Sequence, residues 1–194
     1  MRPSSADFIA RLDSASRLGY NEENDGGGIA MEPLVTAMIA YERGVPQRVQ
    51  HFLKVYAFAQ AIAQGEGADE ATCRVLEAAA LVHDIGIKPA LEIYGSSAGP
   101  HQEELGPGPA REMLTGLGYD PALVERVAYL VGHHHSYGQI DGLDYQILVE
   151  ADFLVNLFEE SEKKEAILSA YRRIFKTDAG KTLCRQMFGL SEEE

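Results

Sequence analysis

Apolar side chains recur along most of the chain at intervals of three and four residues, the spacing of one face of an α-helix. The alternation of apolar and polar residues that is typical of a half-buried strand is absent. The helical pattern covers residues 7–18, 31–41, 47–64, 69–85, 102–117, 121–132, 145–160, 162–175 and 181–188. We therefore predict an all-α fold, with the body of the chain forming a compact bundle of about eight helices.

Polar residues and glycines mark the helix boundaries. Asp69 and Asp120 precede helical segments, where a carboxylate accepts hydrogen bonds from free backbone N–H groups. Pro121 follows at a first-turn position that needs no N–H donor, and Gly86 is a candidate helix stop. The segment 88–100 is polar and rich in glycine and serine, so we predict a loop there that covers the substrate.

The chain divides into two parts by composition. Residues 21–28 read Asn-Glu-Glu-Asn-Asp-Gly-Gly-Gly, which predicts a flexible connector. Residues 1–28 are therefore an N-terminal extension and linker, and residues 29–194 a single helical domain. A chain of 194 residues with 45% hydrophobic side chains is long enough to bury one core.

The charge of the chain excludes some partners. It has 17 basic and 30 acidic residues, a net charge of −13 and a pI of about 4.9, which disfavours a nucleic-acid polymer or an anionic membrane. A small anionic substrate then requires a local positive charge such as a metal ion. No segment approaches the roughly 20 apolar residues of a membrane span, and Cys73 and Cys184 suggest a reduced compartment. We expect a cytoplasmic protein.

Several ligand-type residues lie on apolar helical segments. His51 shares a helical face with Val55, Phe58 and Ile62, so it points into the core. Alone, such a histidine is more often bonded to a backbone carbonyl than to a metal. Asp152 is more informative, because apolar residues surround it on nearly every helical face and few basic residues are placed to pair with it. A buried carboxylate needs such compensation, which favours a metal ion over a buried salt bridge.

The dipeptide His83-Asp84 closes the apolar run at 78–82. Adjacent helical residues point about 100° apart, so both side chains reach one ion only where the helix ends. With His51 and Asp152 they form a set of two nitrogen and two oxygen ligands. That set suits Fe, Mn, Ni, Co or Zn better than a soft ion.

The order of His51, His83-Asp84 and Asp152, with Leu-Val-His-Asp-Ile-Gly at 81–86, resembles the HD-domain superfamily of metal-dependent phosphohydrolases. The resemblance covers roughly residues 45–160. It implies a helical bundle of the HD-domain type in which these residues converge on one or two metal ions. The cyclic-dinucleotide phosphodiesterases of that superfamily carry a glutamate and a Gly-Tyr-Pro signature that 136–142 lacks, so we do not expect that specificity.

Additional histidines extend the resemblance. Some members hold a second ion with histidines between the His-Asp pair and the last aspartate, where this chain has His101, His133, His134 and His135. We favour His101, His133 and His134 as ligands. Which two of the three consecutive histidines face inward stays open. It also stays open whether His101 is an exposed loop residue. One or two of the three consecutive histidines could instead be surface residues or outer hydrogen-bond donors to the site.

The resemblance also suggests residues with a catalytic role beside Asp84. Lys88 is displaced by one position from a lysine of several subgroups, so it is either a phosphate contact or a solvated lysine. Glu104, with Glu103, is a candidate general base or outer-shell acceptor, although glutamates at a helix start are also common for electrostatic reasons.

We therefore predict a metal-dependent phosphohydrolase that cleaves a phosphate ester, for example a nucleotide, through a metal-activated water. One divalent ion is expected, and a second ion and a homodimer stay open. Two alternatives also remain: a di-iron oxygenase of the same superfamily, and a sensor or scaffold that a metal stabilises without catalysis.

Overall fold

The computed structural model describes residues 31–191, and the predicted helix at 7–18 and linker at 21–28 lie outside that range. The helices are α1 (Met31–Tyr41), α2 (Pro46–Gly65), α3 (Glu70–Val82), α4 (Ile87–Tyr94), α5 (Gly99–Leu105), α6 (Pro107–Gly116), α7 (Pro121–Val131), α8 (Leu143–Glu159), α9 (Lys164–Arg173) and α10 (Asp178–Phe188). These described residues include no strand, which confirms the all-α prediction. None of the helices in this range is long and apolar enough to cross a membrane.

Helix α3 is the centre of the bundle and packs against α1, α2, α7 and α8. Ala78, Ala79 and Ala80 are all completely buried, as are Leu81 and Val82. The C-terminal half of α3 is thus buried on every side, as expected for an apolar run without a polar face. Its small side chains allow neighbouring helices to approach, so the end of α3 lies inside the bundle.

The predicted helix caps are confirmed. The Asp69 side chain accepts a hydrogen bond of 2.8 Å from the Thr72 backbone N–H. Asp120 accepts from the N–H groups of Ala122 and Leu123, and Pro121 occupies the first turn of α7. These caps satisfy backbone donors that a helix cannot pair internally.

The end of α3 differs from the prediction in an informative way. The helix ends at Val82, and the next residues form turns before α4 begins. Gly86 has an ordinary right-handed backbone (φ −70°), so its role is not to end a helix. A Cβ there would lie 2.5 Å from the Gln102 carbonyl oxygen and 3.0 Å from Gly106 Cα. Gly86 therefore permits the junction of α5 and α6 to pack directly on the 83–86 turn.

The prediction of a loop at 88–100 is wrong. Most of this segment belongs to α4 and to the start of α5, with a short connection that begins at Gly95 (φ +64°). The glycines and serines that favoured a loop lie within 95–99, in and beside this connection, whereas Pro89 lies in the first turn of α4, where no N–H donor is required. The predicted helix at 102–117 is instead divided into α5 and α6 at Gly106.

We predict that Gly86→Ala destabilises the protein by about 1 to 3 kcal/mol, because the added methyl group meets backbone atoms that cannot rotate away. Gly116→Ala is the matched control, since a Cβ at that helical position meets nothing within 4 Å. The control should be neutral or slightly stabilising. Urea unfolding of both variants measures the difference, and equal stabilities would contradict the packing role of Gly86.

Candidate metal centre

Side chains from three helical regions meet inside the bundle. His51 comes from the first turns of α2, His83 and Asp84 from the end of α3, and Asp152 from the middle of α8. The Nε2 atoms of His51 and His83 lie 3.3 Å apart. Each of these nitrogens lies 3.2 to 3.5 Å from one carboxylate oxygen of Asp84 and one of Asp152. The convergence expected from the sequence is therefore present in the fold.

Hydrogen bonds fix which nitrogen of each imidazole faces this group. The Nδ1 atom of His51 lies 2.9 Å from Glu159 Oε2, and that of His83 lies 2.9 Å from the Ala80 carbonyl oxygen. The Nδ1 atom of His134 likewise lies 2.9 Å from the Val131 carbonyl oxygen. Because carbonyl and ionised carboxylate oxygens only accept, Nδ1 carries the proton in each ring. In the neutral ring the lone pair of each Nε2 atom then points inward, as metal ligation requires.

The spacing of the inward atoms fits a metal ion. Ligand atoms bound at about 2.1 Å lie about 3.0 to 3.4 Å from their neighbours in octahedral and tetrahedral shells. The two imidazole nitrogens lie 3.3 Å from each other and 3.2 to 3.5 Å from the carboxylate oxygens of Asp84 and Asp152, close to those values. Two unprotonated nitrogens at this distance repel each other, so a shared cation or a proton has to lie between them.

The electrostatics of the group lead to the same requirement. Burial lowers the pKa of His51, but the hydrogen bond with Asp152 and the charges of Asp84 and Asp152 outweigh it and raise the pKa to about 9. Burial raises the pKa of Asp152, but His51 and His83 outweigh it and hold the pKa below its usual range. The carboxylates thus stay ionised and attract positive charge, which a proton on His51 or a metal ion supplies.

A second group lies on the other side of Asp84. Its Oδ1 atom lies 3.5 Å from His134 Nε2, whereas Oδ2 faces His51 and His83. Ligand atoms of Asp84, His134 and His135 all lie within 4.8 Å of one another. The Nε2 atoms of His134 and His135 are buried and have no hydrogen-bond partner within the described part of the chain. Such unpaired buried nitrogens are expected where a metal ion completes the site.

The turn at 133–136 decides which histidines join this second group. The sequence favoured His133 and His134, but the structure brings His134 and His135 to Asp84. The His133 ring instead stacks on Tyr129 at 4.2 Å, and its Nδ1 donates to the Tyr129 carbonyl oxygen. The reason is that α7 ends at Val131, so the three histidines do not follow the 100° steps of a helix.

The conformation of this turn is held from both sides. Glu103 accepts hydrogen bonds from the His135 backbone N–H at 3.0 Å and from the Ser136 hydroxyl at 3.2 Å. The Tyr145 hydroxyl lies against the carbonyl oxygens of His133 and Ser136 and donates to them. The Glu103 side chain therefore orients the histidine turn by binding the backbone of that turn.

The other residues proposed from the resemblance lie apart from both groups. The His101 ring stacks on Tyr94 at 4.2 Å, and Glu104 accepts from the Tyr94 hydroxyl at 3.1 Å. Lys88 donates to the Tyr41 carbonyl oxygen at 3.2 Å and lies 4.8 Å from the centre of the Tyr41 ring. Their roles in ligation and catalysis stay predictions.

Two supporting residues were not found from the sequence. Glu159 bonds His51 Nδ1 and also accepts from Lys54 at 2.9 Å. Asn156 donates to Asp152 Oδ1 at 2.9 Å. Asn156 follows Asp152 by four residues and Glu159 follows it by seven, so all three lie on the same face of α8. That spacing was the available signal, but a glutamate at a helix end resembles an ordinary solvated residue.

We predict that Glu159→Ala weakens metal binding about 10- to 100-fold, because outer carboxylates orient a ligating imidazole and increase its basicity. Glu165→Ala, which removes an exposed glutamate of α9, is the control and should bind like the parent protein. Isothermal titration of chelator-treated protein with Mn²⁺ or Zn²⁺ measures both affinities. Equal affinities for the two variants would show that Glu159 does not support the site.

Known proteins resemble this chain both in sequence pattern and in fold. The family model for the HD domain matches residues 48–179. The fold is similar to the crystal structure of a predicted HD superfamily hydrolase from an uncultured Thermotogales bacterium, with a TM-score of 0.59 and 22% sequence identity. That alignment covers 81% of this chain and 84% of the other. The curated proteins include no match to the chain.

Proposed function

Because the chain belongs to the HD domain family, a superfamily of metal-dependent hydrolases, we propose that it is a phosphohydrolase that cleaves a small phosphate ester. The observation that carries the proposal is the convergence of three inward Nε2 atoms on the two carboxylates of Asp84 and Asp152. The products are inorganic phosphate and an alcohol: water oxygen bonds to phosphorus, the ester P–O bond breaks, and the alcohol leaves with a proton.

The residues present form places for two ions that share Asp84. One ion would be held by His51, His83 and Asp84 together with Asp152, whose Oδ1 faces both imidazoles, and a second by His134, His135 and the other oxygen of Asp84. Imidazole and carboxylate ligands suit Mn, Fe, Co, Ni or Zn. When bound, such ions polarise a phosphoryl oxygen and lower the pKa of a coordinated water toward neutrality.

The exposure of the ligands indicates where the substrate enters. The Asp84 side chain retains 22% of its accessible surface, compared with 10% for His51, 7% for Asp152 and 1% for His134. His83 is completely buried. We therefore place the phosphate on the solvent side of Asp84, while the other ligands and the core behind them exclude bulk water.

The protonation states of His135 and Asp84 suit them as metal ligands. Burial and the neighbouring His134 lower the pKa of His135 to about 4, so its imidazole is neutral and available as a ligand at neutral pH. Burial raises the pKa of Asp84, but His83 and His134 outweigh it and keep this carboxylate ionised. A phosphate dianion is repelled by Asp84 and Asp152 unless cations offset them, so substrate binding depends on the metal.

The test of the function is metal removal followed by reconstitution. Chelator-treated protein should lose phosphate release from p-nitrophenyl phosphate and nucleoside monophosphates, because nothing then offsets the carboxylates. Addition of Mn²⁺, Fe²⁺, Co²⁺, Ni²⁺ or Zn²⁺ should restore it, including under anaerobic conditions with redox-inert Zn²⁺. Turnover that needs iron and oxygen would instead support the oxygenase, and tight metal binding without any turnover would support the scaffold.

A second prediction concerns the three consecutive histidines. His135→Ala should reduce the metal content from about two ions per chain to about one and lower kcat at least about 100-fold, because one ion of the pair is lost. His133→Ala should keep both ions and most of the activity, since its ring stacks on Tyr129. Metal analysis of gel-filtered variants separates these outcomes. Loss of an ion on changing His133 alone would contradict the proposed ligand set.

A further inference from the structure

A cavity of about 630 Å³ lies between α8, α9 and the segment that follows the histidine turn. Most of its wall is apolar or aromatic: Tyr137, Phe153, Leu157, Ala166, Ala170 and Ile174. Tyr137 and Phe153 contact each other edge to face, with ring centres 5.2 Å apart. Such a wall favours an apolar or aromatic group over a sugar or a bare phosphate.

The cavity is linked to the metal centre through Asn156. Asn156 forms part of its wall and donates a hydrogen bond of 2.9 Å to Asp152 Oδ1, the oxygen that faces His51 and His83. Tyr137 lies two residues after His135 in the chain. The wall of the cavity is thus one side chain away from a proposed metal ligand.

The charged residues of the cavity lie at its rim. Glu160, Glu162 and Arg173 line it, and all three are exposed. Exposed charges of both signs are solvated and contribute little selectivity for an anion. The buried part of the wall, with Leu157 and Ala170, is apolar, so the energy of binding here comes from apolar contact.

We infer that this cavity binds the organic group of the ester, and that the substrate is a phosphomonoester of an apolar or aromatic alcohol. The inference rests on the proposed function, because the phosphate has to reach the ions held at Asp84 and Asp152. Apolar contact with the cavity wall then selects the ester, while the ions bind the phosphate that all candidate substrates share.

The test compares ethyl phosphate with 3-phenylpropyl phosphate, whose alkyl leaving groups have similar reactivity, in the metal-loaded enzyme. The value of kcat/KM should be about 10- to 100-fold higher for the phenylpropyl ester, the effect of burying an aromatic side group. Ala166→Phe, which fills the cavity, should remove most of this preference, and Tyr137→Ala should reduce it. Ala122→Phe, which adds the same side chain on the exposed surface of α7, should keep the parent ratio.

Because the readout is a ratio of two substrates in one preparation, partial misfolding of a variant does not imitate the effect. Equal kcat/KM values for the two esters in the parent enzyme would overturn the inference while leaving the phosphohydrolase proposal intact. If no ester is cleaved, calorimetry with 3-phenylpropylphosphonate and ethylphosphonate decides the question. Selective binding of the former that Ala166→Phe removes would support the cavity although the proposed activity had failed, and the absence of selective binding would overturn it.

Discussion

The structure depends on one electrostatic requirement: two ionised carboxylates and three imidazole Nε2 atoms meet in the interior and need positive charge between them. Asp152 and His83 are buried, and the inward atoms of the first group are separated by 3.2 to 3.5 Å. The cost of burying one unpaired charge is several kcal/mol, so these side chains are stable together only with a cation or bound protons. A protein that keeps such a group at the end of its central helix is suited to bind metal ions.

The remaining fold holds this group rigidly. Small residues let helices surround α3, Gly86 lets the α5–α6 junction pack on the His-Asp turn, and Glu103 fixes the turn that carries the second histidine pair. Glu159 and Asn156 orient ligands from α8. The site is therefore built mostly on helices and tight turns, which position ligands more accurately than long loops do.

The features that could be predicted from the sequence are those that depend on helical periodicity and on the cost of burying a charge. The helical class, the caps at Asp69 and Asp120 and the inward direction of His51 followed from spacing alone. Asp152 was identified because it lacks basic partners, but Glu150 on the same helix is also fully buried and pairs with the Thr177 hydroxyl and the backbone N–H of Lys176 and Thr177. Only the tertiary structure distinguishes a carboxylate that faces imidazoles from one that faces backbone donors. The choice of His135 over His133 was likewise beyond the sequence, since it depends on a turn whose dihedral angles have no periodic pattern.

Anomalous scattering from crystals of the metal-loaded protein shows whether these histidines and aspartates bind metal, because it locates an ion without assuming any activity. We expect a peak at about 2.0 to 2.3 Å from His51 Nε2, His83 Nε2 and one oxygen each of Asp84 and Asp152. A second peak should lie beside His134 and His135, with Asp84 between the two. Crystals that contain metal elsewhere, or none after soaking in Mn²⁺ and Zn²⁺, with these side chains ordered as described, would contradict the account.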